Sequence, residues 1–197
     1  MDPKYVCVLD LDETCGFYDG KVFHVRPFFK TFIYFLKLIR ADIILWSLGT
    51  DAYVLRVING FLPELQAHAV KIFARSEADY SKLYYEHYKA SAHVRDLYAS
   101  ESVLLIAVDD NVSTNMDEHG YDLRFYVKPY TKVNSCDKEL LKTIDAIVQG
   151  IARIIKLEHH VQRRPRVKKY LQSTNEMDSV TMVEKTRCRP TIHGIGV

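Results

Sequence analysis

The stretch that decides the fold is Tyr5-Val6-Cys7-Val8-Leu9-Asp10-Leu11-Asp12-Glu13-Thr14. Its apolar part is continuous and stops abruptly at Asp10, which is typical of a strand covered on both faces in a parallel sheet. Where such a strand turns into a loop, two carboxylates two residues apart can both face one ligand. We therefore expect a buried parallel strand that ends in the carboxylate pair Asp10 and Asp12.

The remaining elements of the predicted fold alternate along the chain. A small hairpin is expected to turn at Asp19-Gly20. Helical spacing or helix-favouring composition predicts helices at residues 27–40, 51–59, 79–98 and 136–156. Short apolar runs predict further strands at residues 43–46, 70–73, 103–108 and 124–127. Because strands alternate with helices, the sequence predicts an α/β fold with a parallel sheet of about five strands flanked by helices.

Composition and charge limit the partners and the cellular location that the sequence predicts. The 197 residues are 48% hydrophobic and 26% charged, with a net charge of +2, so bulk charge predicts neither a nucleic-acid nor a membrane partner. No apolar run reaches the ~18 residues of a membrane span. The sequence opens on a strand rather than a leader, and the four cysteines lack metal-type spacing. These features favour an intracellular location, nuclear or cytoplasmic.

The last part of the chain differs in composition from the rest. Beyond residue 160 apolar periodicity disappears, and a short basic stretch contains Arg163, Arg164, Arg166, Lys168 and Lys169. We therefore expect a folded domain at residues 1–160 and a basic, flexible tail at residues 161–197. The basic stretch fits a nuclear address, a nucleic-acid phosphate contact or a solvated tail, so nucleic acid stays a candidate partner.

Polar groups suited to phosphoryl chemistry follow three of the predicted strands. They are Asp10 and Asp12 after the first, Ser47 after the second, and Asp109, Asp110 and Asn111 after the strand at 103–108. The carboxyl ends of parallel strands share one edge of a sheet, so we expect these groups to meet there. One carboxylate can attack phosphorus and another can move the proton. Like charges this close lead us to expect a bound cation or a proton between them, and Mg²⁺ fits because it prefers oxygen ligands.

The same motifs carry a family resemblance. Asp10-Leu11-Asp12-Glu13-Thr14 after an apolar strand is the signature of the haloacid dehalogenase (HAD) superfamily. Because Arg26-Pro27 and an aromatic helix follow, the chain resembles the RNA polymerase II C-terminal-domain (CTD) phosphatases, that is, the NLI-interacting-factor-like or small CTD phosphatase family. Its late motif corresponds here to Val108-Asp109-Asp110-Asn111. The similarity covers residues 4–158 and implies a Rossmann-like HAD fold.

The resemblance also implies roles for individual residues. Asp10 would be the nucleophile, and Asp12 would be the general acid/base. Ser47 stands where the family has threonine and would donate a hydrogen bond to a phosphoryl oxygen. Thr14 and Arg26 are further candidates for contact with the substrate.

The resemblance does not fix every ligand of the metal site that it implies. Mg²⁺ would be held by the carboxylate of Asp10, the carbonyl of Asp12, and one or two of Asp109, Asp110 and Asn111. The motif can be aligned in two ways, and its Asp-Asn form favours Asp110 and Asn111.

Catalysis also needs a cation to neutralise the phosphoryl oxygens. The family places a lysine in a stretch that corresponds here to His93-Val94-Arg95-Asp96-Leu97, so Arg95 stands at the expected position. Arginine keeps the charge but presents a planar fork in place of a point charge. Lys89 is the alternative if the alignment shifts.

The segment between the first strand and the aromatic helix is shorter than in the family. Only residues 15–25 lie there, whereas family phosphatases carry a longer insertion that helps to select the phosphoserine peptide. We therefore expect a short hairpin flap and a more open site. The short flap and compact length resemble versions encoded by large DNA viruses.

The function predicted from the sequence is a Mg²⁺-dependent phosphomonoester hydrolase that works through an aspartyl-phosphate. Its predicted substrate is phosphoserine or phosphothreonine in a protein or peptide, with no membrane partner. Two alternatives stay open. One keeps the chemistry on a nucleic-acid 3′-phosphate or a small molecule, and the other is a weakened binding module. Intact Asp10, Asp12 and Asp110 argue against the binding module, whereas Arg95 in place of lysine argues for it.

Overall fold

The computed structural model describes residues 3–81, 86–99, 101–117 and 119–162. Its strands are β1 (Lys4–Leu9), β2 (Gly16–Tyr18), β3 (Phe23–Val25), β4 (Asp42–Trp46), β5 (Ala69–Phe73), β6 (Asp79–Ser81), β7 (Glu86–Tyr88), β8 (Val103–Asp109) and β9 (Leu123–Tyr126). Its helices are α1 (Phe29–Leu38), α2 (Asp51–Phe61), α3 (Pro63–His68), α4 (Ser91–Asp96), α5 (Val112–Asn115) and α6 (Glu139–Gln162).

The main sheet has the strand order β5-β4-β1-β8-β9, and every neighbouring pair is parallel. The central strand β1 is the apolar run before Asp10, and its last four residues are fully buried. Burial on both faces explains why this run has no polar alternation. Leu9 pairs with Leu45 of β4 and Val108 of β8, so the three strands end side by side. The predicted five-stranded α/β fold is confirmed.

The predicted hairpin flap is also confirmed. β2 and β3 pair antiparallel, with Phe17 opposite His24. The turn between them is stabilised by Asp19, whose Oδ1 accepts hydrogen bonds from the N–H groups of Lys21 and Val22 at 2.9 Å each. Gly20 has a φ of 98°, a left-handed conformation that glycine adopts without steric cost.

The segment at residues 79–98, which the sequence predicts to be helix-prone, is helical only in part of its described residues. β6 and β7 make an antiparallel ribbon, in which Asp79 pairs with Tyr88, and α4 is the one helix among residues 79–81 and 86–98. The segment is rich in tyrosine, and the high strand propensity of tyrosine favours the ribbon. Lys89 follows the ribbon directly, and its N–H donates to the carbonyl of Asn115 at 2.6 Å. The ribbon therefore places Lys89 next to α5.

Helix boundaries also differ from the predictions in two places. α2 runs past Asn59-Gly60 to Phe61, and the separate helix α3 follows, with Pro63 at its first position, where a missing N–H costs nothing. α6 begins at Glu139, and its buried face includes Leu140 and Ile147. None of the helices in the described part of the chain is long and apolar enough to cross a membrane.

The chain contains two compact units, Met1–Gly150 and Ile151–Val197. Every residue of the site described below belongs to the first unit. Residues 163–197, which make up most of the predicted basic tail, lie outside the described residues.

Candidate active site

The loop after β1 holds Asp10 and Asp12 at the edge where β1, β4 and β8 end. The N–H of Asp10 donates to the carbonyl of Val108 at 3.0 Å, which extends the β1–β8 ladder by one residue. The N–H of Cys15 donates to the carbonyl of Leu11 at 2.9 Å and closes the turn. The backbone that carries both carboxylates is therefore fixed by hydrogen bonds on either side.

A buried arginine holds the same loop in place through hydrogen bonds. Arg26 is 1% exposed, and its Nε and Nη2 donate to the carboxylate of Asp137 at 2.9 and 3.1 Å. It also donates to the carbonyls of Glu13 at 3.1 Å, Thr14 at 3.2 Å and Lys128 at 2.6 Å. All these partners belong to the protein, so the geometry gives Arg26 a structural position instead of the predicted contact with substrate.

Arg26→Met is expected to lower the free energy of unfolding by roughly 3 kcal/mol, because it removes the buried guanidinium that donates to Asp137 and to three carbonyls. Burial acts to raise the pKa of Asp137, but hydrogen bonds from Arg26 and the Glu139 N–H outweigh it and lower the pKa. The ion pair therefore contributes above the unfolded-state pKa of the carboxyl and is lost as the pH falls through the lowered folded-state pKa.

Urea denaturation at several pH values checks this prediction. The stability difference between wild type and Arg26→Met should shrink as the pH falls towards the pKa of Asp137. The matched control is Lys30→Met, which removes a surface ion pair between Lys30, 80% exposed, and Glu64, and should change stability by less than ~1 kcal/mol. Equal effects of the two substitutions would contradict the structural role of Arg26.

The centre of the site is a buried ammonium between two carboxylates. Lys89 and Asp109 are fully buried and Asp10 is 5% exposed. The Nζ of Lys89 donates to Asp10 Oδ1 and to Asp109 Oδ2, each at 2.6 Å. The second oxygen of Asp10, Oδ2, is buried and has no hydrogen-bond partner among the described residues. One oxygen of Asp10 is thus held by the cation and the other remains available to a ligand.

The remaining groups of the cluster are oriented by their neighbours. Asp109 Oδ1 accepts hydrogen bonds from the N–H of Asn111 at 2.6 Å and from Asn115 Nδ2 at 2.9 Å. Thr14 is fully buried, and its Oγ1 accepts the N–H of Asp110 at 3.0 Å and donates to Asp110 Oδ1 at 3.4 Å. Thr14 therefore joins the loop after β1 to the end of β8, and this position differs from the predicted contact with substrate.

Three carboxylates of this cluster could share one metal ion. Asp10, Asp109 and Asp110 each offer one oxygen atom, and these atoms lie within 4.8 Å of one another. The sequence favoured Asp110 and Asn111 at the end of β8. The side chain of Asn111 is exposed and its backbone N–H binds Asp109, so the geometry favours Asp109 and Asp110 instead.

The electrostatics of the cluster call for a further cation. Burial raises the pKa of Asp10, which Lys89 lowers and Asp109 raises, and burial together with Asp109 raises the pKa of Asp110 to about 6. Burial acts to lower the pKa of Lys89, but Asp10 and Asp109 outweigh it and raise the pKa, so the ammonium stays charged. When all three carboxylates are ionised, they leave two negative charges after the ammonium is counted, and a divalent cation would balance these.

Asp12 lies next to this cluster and is held by two hydroxyl groups. The buried Ser47 donates to Asp12 Oδ2 at 3.3 Å and accepts the N–H of Gly49 at 2.9 Å, and the hydroxyl of Tyr53 donates to Asp12 Oδ1. A Cβ at Gly49 would lie 2.7 Å from the Tyr53 ring, so glycine permits this close approach. Burial raises the pKa of Asp12, whereas the Tyr53 and Ser47 hydrogen bonds lower it. The raised pKa suits a group that must carry a proton.

Arg95, the other predicted cation, lies away from the cluster. Its Nη2 donates to the carbonyl of Gly120 at 2.8 Å and to Asp122 Oδ2 at 3.4 Å. The same oxygen of Asp122 accepts the N–H of Leu105, in the middle of β8 rather than at its end. Of the two predicted cations, the structure brings Lys89 and not Arg95 to Asp10.

Sequence reasoning missed Tyr53 and Asn115. Tyr53 lies in the first turn of α2, the helix that follows the strand ending at Ser47, and this place in the chain was the one available signal. Asn115 lies at the end of the short helix α5, which the sequence did not predict. The three strand ends do meet at one edge, as predicted: Asp10 and Asp110 belong to the same carboxylate cluster, and Asp12 accepts a hydrogen bond from Ser47 at the end of β4.

A parallel five-stranded sheet of this order, with two aspartates after the central strand, fits a phosphatase of the haloacid dehalogenase type. The chain belongs to the NLI interacting factor-like phosphatase family, whose sequence model matches residues 5–158. No curated protein matches the chain significantly in sequence.

Several solved structures resemble the protein. A variant of the fission yeast RNA polymerase II CTD phosphatase Fcp1 bound to beryllium fluoride is 16% identical, with a TM-score of 0.45 over 90% of this chain and 56% of that one. Another structure of Fcp1, an essential RNA polymerase II CTD phosphatase, is 16% identical with a TM-score of 0.45, over 96% and 55% of the chains. The chain thus spans little more than half of each Fcp1 chain.

An uncharacterized protein from Listeria monocytogenes serotype 4b has a similar fold. It is 12% identical, with a TM-score of 0.50 over 76% of this chain and 99% of that one. At this identity the likeness concerns the fold alone.

Proposed function

We propose that the protein is a Mg²⁺-dependent phosphomonoester hydrolase that forms an aspartyl-phosphate on Asp10 and acts on phosphoserine or phosphothreonine in proteins. The observation that carries the proposal is the state of Asp10. Its Oδ1 is bound by the buried Lys89 at 2.6 Å, and its Oδ2 is buried without a partner among the described residues. A carboxylate fixed in this way has one oxygen ready to attack phosphorus.

The residues present fit a magnesium ion. The donor set is made of oxygen atoms from Asp10, Asp109 and Asp110, within 4.8 Å of one another, and oxygen atoms are the ligands that Mg²⁺ prefers. The carbonyl of Asp12 is a further candidate ligand, as in the family. When bound, the ion would neutralise charge on the carboxylates and the phosphoryl oxygens.

The protein groups supply the two steps of the reaction. In the first, an oxygen of Asp10 forms a bond to phosphorus, the bond from phosphorus to the leaving oxygen breaks, and Asp12 gives its proton to that oxygen. In the second, Asp12 takes a proton from water as the water attacks phosphorus, which releases phosphate and restores Asp10. Lys89 stabilises the negative charge in both steps. Ser47 donates to a phosphoryl oxygen once substrate displaces its hydrogen bond to Asp12.

The choice of substrate rests on the family and not on the geometry. Membership in the NLI interacting factor-like phosphatases supports a phosphorylated protein, encountered inside the cell. A 3′-phosphorylated nucleic acid and a small phosphate ester are the competing substrates for the same chemistry.

Removal of divalent cations is expected to abolish phosphate release from a phosphoserine peptide, and added Mg²⁺ is expected to restore it. The physical reason is the uncompensated charge of Asp10, Asp109 and Asp110. The measurement is inorganic phosphate released after EDTA treatment, with and without Mg²⁺ in excess of the chelator. Undiminished turnover in EDTA would contradict the metal site. A phosphoserine peptide and a 3′-phosphorylated oligonucleotide, assayed side by side, would separate the substrate classes.

A further inference from the structure

A cavity with aromatic walls opens beside Asp12. It encloses about 450 Å³ and is lined by Asp12, Glu13, Phe17, Tyr18, Tyr53 and Thr131, which we call the aromatic pocket. The proposed chemistry needs Asp12 to reach the leaving oxygen, but it assigns no role to these rings. The pocket therefore lies where the leaving group of the ester would be, and its lining bears on which leaving groups fit.

The rings of the aromatic pocket are braced by their neighbours. The ring centroids of Tyr18 and Tyr53 are 6.1 Å apart in an edge-to-face arrangement at 74°. The guanidinium of Arg56 lies over both rings, 5.1 Å from the centroid of Tyr18 and 5.8 Å from that of Tyr53. Contacts of this kind hold aromatic rings in defined orientations, so the pocket offers preformed faces to another ring.

The third ring, Phe17, is held from the other side. It stacks on His24 at 4.9 Å with an interplanar angle of 26°, and it meets the edge of Tyr130 at 5.5 Å. Phe17 and Tyr18 both belong to the hairpin flap, whereas Tyr53 belongs to α2. The short flap thus contributes two walls of the pocket.

We propose that the site also hydrolyses phosphotyrosine, with the phenol ring of the substrate in the aromatic pocket. The inference rests on the proposed function, because it uses Asp10 as nucleophile and Asp12 as acid. An aromatic leaving group can stack on Phe17, Tyr18 or Tyr53 at the wall that contains Asp12. A serine or threonine leaving group has no ring to make these contacts.

The charge of the pocket favours a tyrosyl side chain over a nucleotide, although both carry a ring. Asp12 and Glu13 are part of the lining, and Asp10, Asp109 and Asp110 lie in the adjacent cluster. The further phosphates of a nucleic acid would be repelled by these carboxylates. Arg56, the cation beside the rings, is engaged with Tyr18 and Tyr53. A phenol brings no charge beyond the phosphate that reacts.

The reaction balances as for the other esters. An Asp10 oxygen bonds to phosphorus, and the bond between phosphorus and the phenolic oxygen breaks, with its electron pair left on that oxygen. The proton of Asp12 converts the phenolate to tyrosine. Water then hydrolyses the aspartyl-phosphate, so that the products are tyrosine and inorganic phosphate.

The test compares two peptides that differ only in carrying phosphotyrosine or phosphoserine at one position, with the full chain and Mg²⁺. Wild type is expected to hydrolyse both. The phenol of tyrosine is intrinsically a better leaving group than the alcohol of serine, so a faster reaction of the phosphotyrosine peptide does not by itself show that the pocket contributes. The decisive quantity is therefore the ratio of kcat/KM for the two peptides, compared between wild type and each variant. Tyr18→Leu should lower the phosphotyrosine-to-phosphoserine ratio roughly 3- to 10-fold, the effect expected for loss of one aromatic contact.

Two further variants complete the design. Phe17→Leu should lower the same ratio and covers the case in which Tyr18→Leu does not fold. Tyr34→Leu, a matched change at a ring 67% exposed on α1, should leave the ratio unchanged. Hydrolysis of phosphoserine without phosphotyrosine would overturn the inference and leave the proposed function standing. An unchanged ratio in folded Tyr18→Leu and Phe17→Leu, or a preference for a 3′-phosphorylated oligonucleotide, would also overturn it. Hydrolysis of neither ester would overturn the proposed function itself.

Discussion

Asp10→Asn is expected to reduce turnover of any phosphomonoester roughly 10⁴-fold or more, because an amide cannot form the aspartyl-phosphate. The variant should stay folded, since Lys89 keeps its 2.6 Å hydrogen bond to Asp109 and the buried cluster loses one of its mutually repelling carboxylates. The measurement is single-turnover hydrolysis of a ³²P-labelled peptide, stopped with acid. Wild type should carry acid-stable label on the protein, and Asp10→Asn should carry none.

The control for this experiment is Asp145→Asn, which makes the same chemical change at an exposed position of α6. It should retain wild-type turnover and labelling. Thermal unfolding of the three proteins separates loss of chemistry from loss of fold. Label on folded Asp10→Asn at the wild-type level would remove Asp10 from the role of nucleophile.

Lys89→Met is expected to lower kcat by roughly 10²- to 10³-fold, the typical effect of losing one group that stabilises transition-state charge. The methionine also leaves Asp10 and Asp109 without the cation that now lies 2.6 Å from each. Loss of the ammonium should raise the pKa of Asp10 further, and protonated Asp10 cannot attack phosphorus. We therefore expect the activity that remains to need a higher pH than wild type. Initial rates across pH measure both the loss of kcat and the shift in pH dependence.

Arg95→Met is the matched control, because Arg95 is the other cation that the sequence offered. Its partners are Gly120 and Asp122, so kcat should stay within a factor of about 3 of wild type, as expected for a partly exposed ion pair. The reverse pattern, with an active Lys89→Met and an inactive Arg95→Met, would contradict the geometry described for the site.

The sheet and its edge could be predicted because their physics is local. A strand buried on both faces must be apolar throughout, so β1 and β8 are visible as uninterrupted runs. The polar residues that follow them, such as Asp10 and Asp110, necessarily share an edge once the strands are parallel. The positions of these residues therefore followed from sequence alone. Their roles in a reaction are still predictions.

The cation could not be chosen from sequence, because its place depends on a tertiary path. Lys89 and Arg95 are close neighbours in a segment that the sequence predicted to be helical. A helix would have placed them by its periodicity, but the ribbon of β6 and β7 sets the chain in another direction. The choice between Lys89 and Arg95 thus depended on a local conformation for which strand and helix propensities compete.

The hydrogen-bond partners of Asp12 could not be predicted from the sequence for a different reason. Tyr53 meets Asp12 because Gly49 lets its ring approach, and Ser47 turns towards Asp12 because it also binds the N–H of Gly49. No periodicity links these residues to Asp12. Likewise, Arg26 follows the flap in sequence and could have faced a substrate, yet its guanidinium is matched by five oxygen atoms within the fold.

The ammonium of Lys89 follows the ribbon of β6 and β7, so it is carried by a different part of the fold from the carboxylates. The carboxylates are built into the ends of sheet strands, whereas the ammonium arrives on an appendage, anchored where the Lys89 N–H meets Asn115 and where the Tyr121 hydroxyl meets the Lys89 carbonyl at 3.0 Å. If Lys89 acts as proposed, local detachment of this appendage would stop turnover without unfolding the sheet. Substitutions in the ribbon of β6 and β7 could then be used to change turnover while the main sheet stays intact.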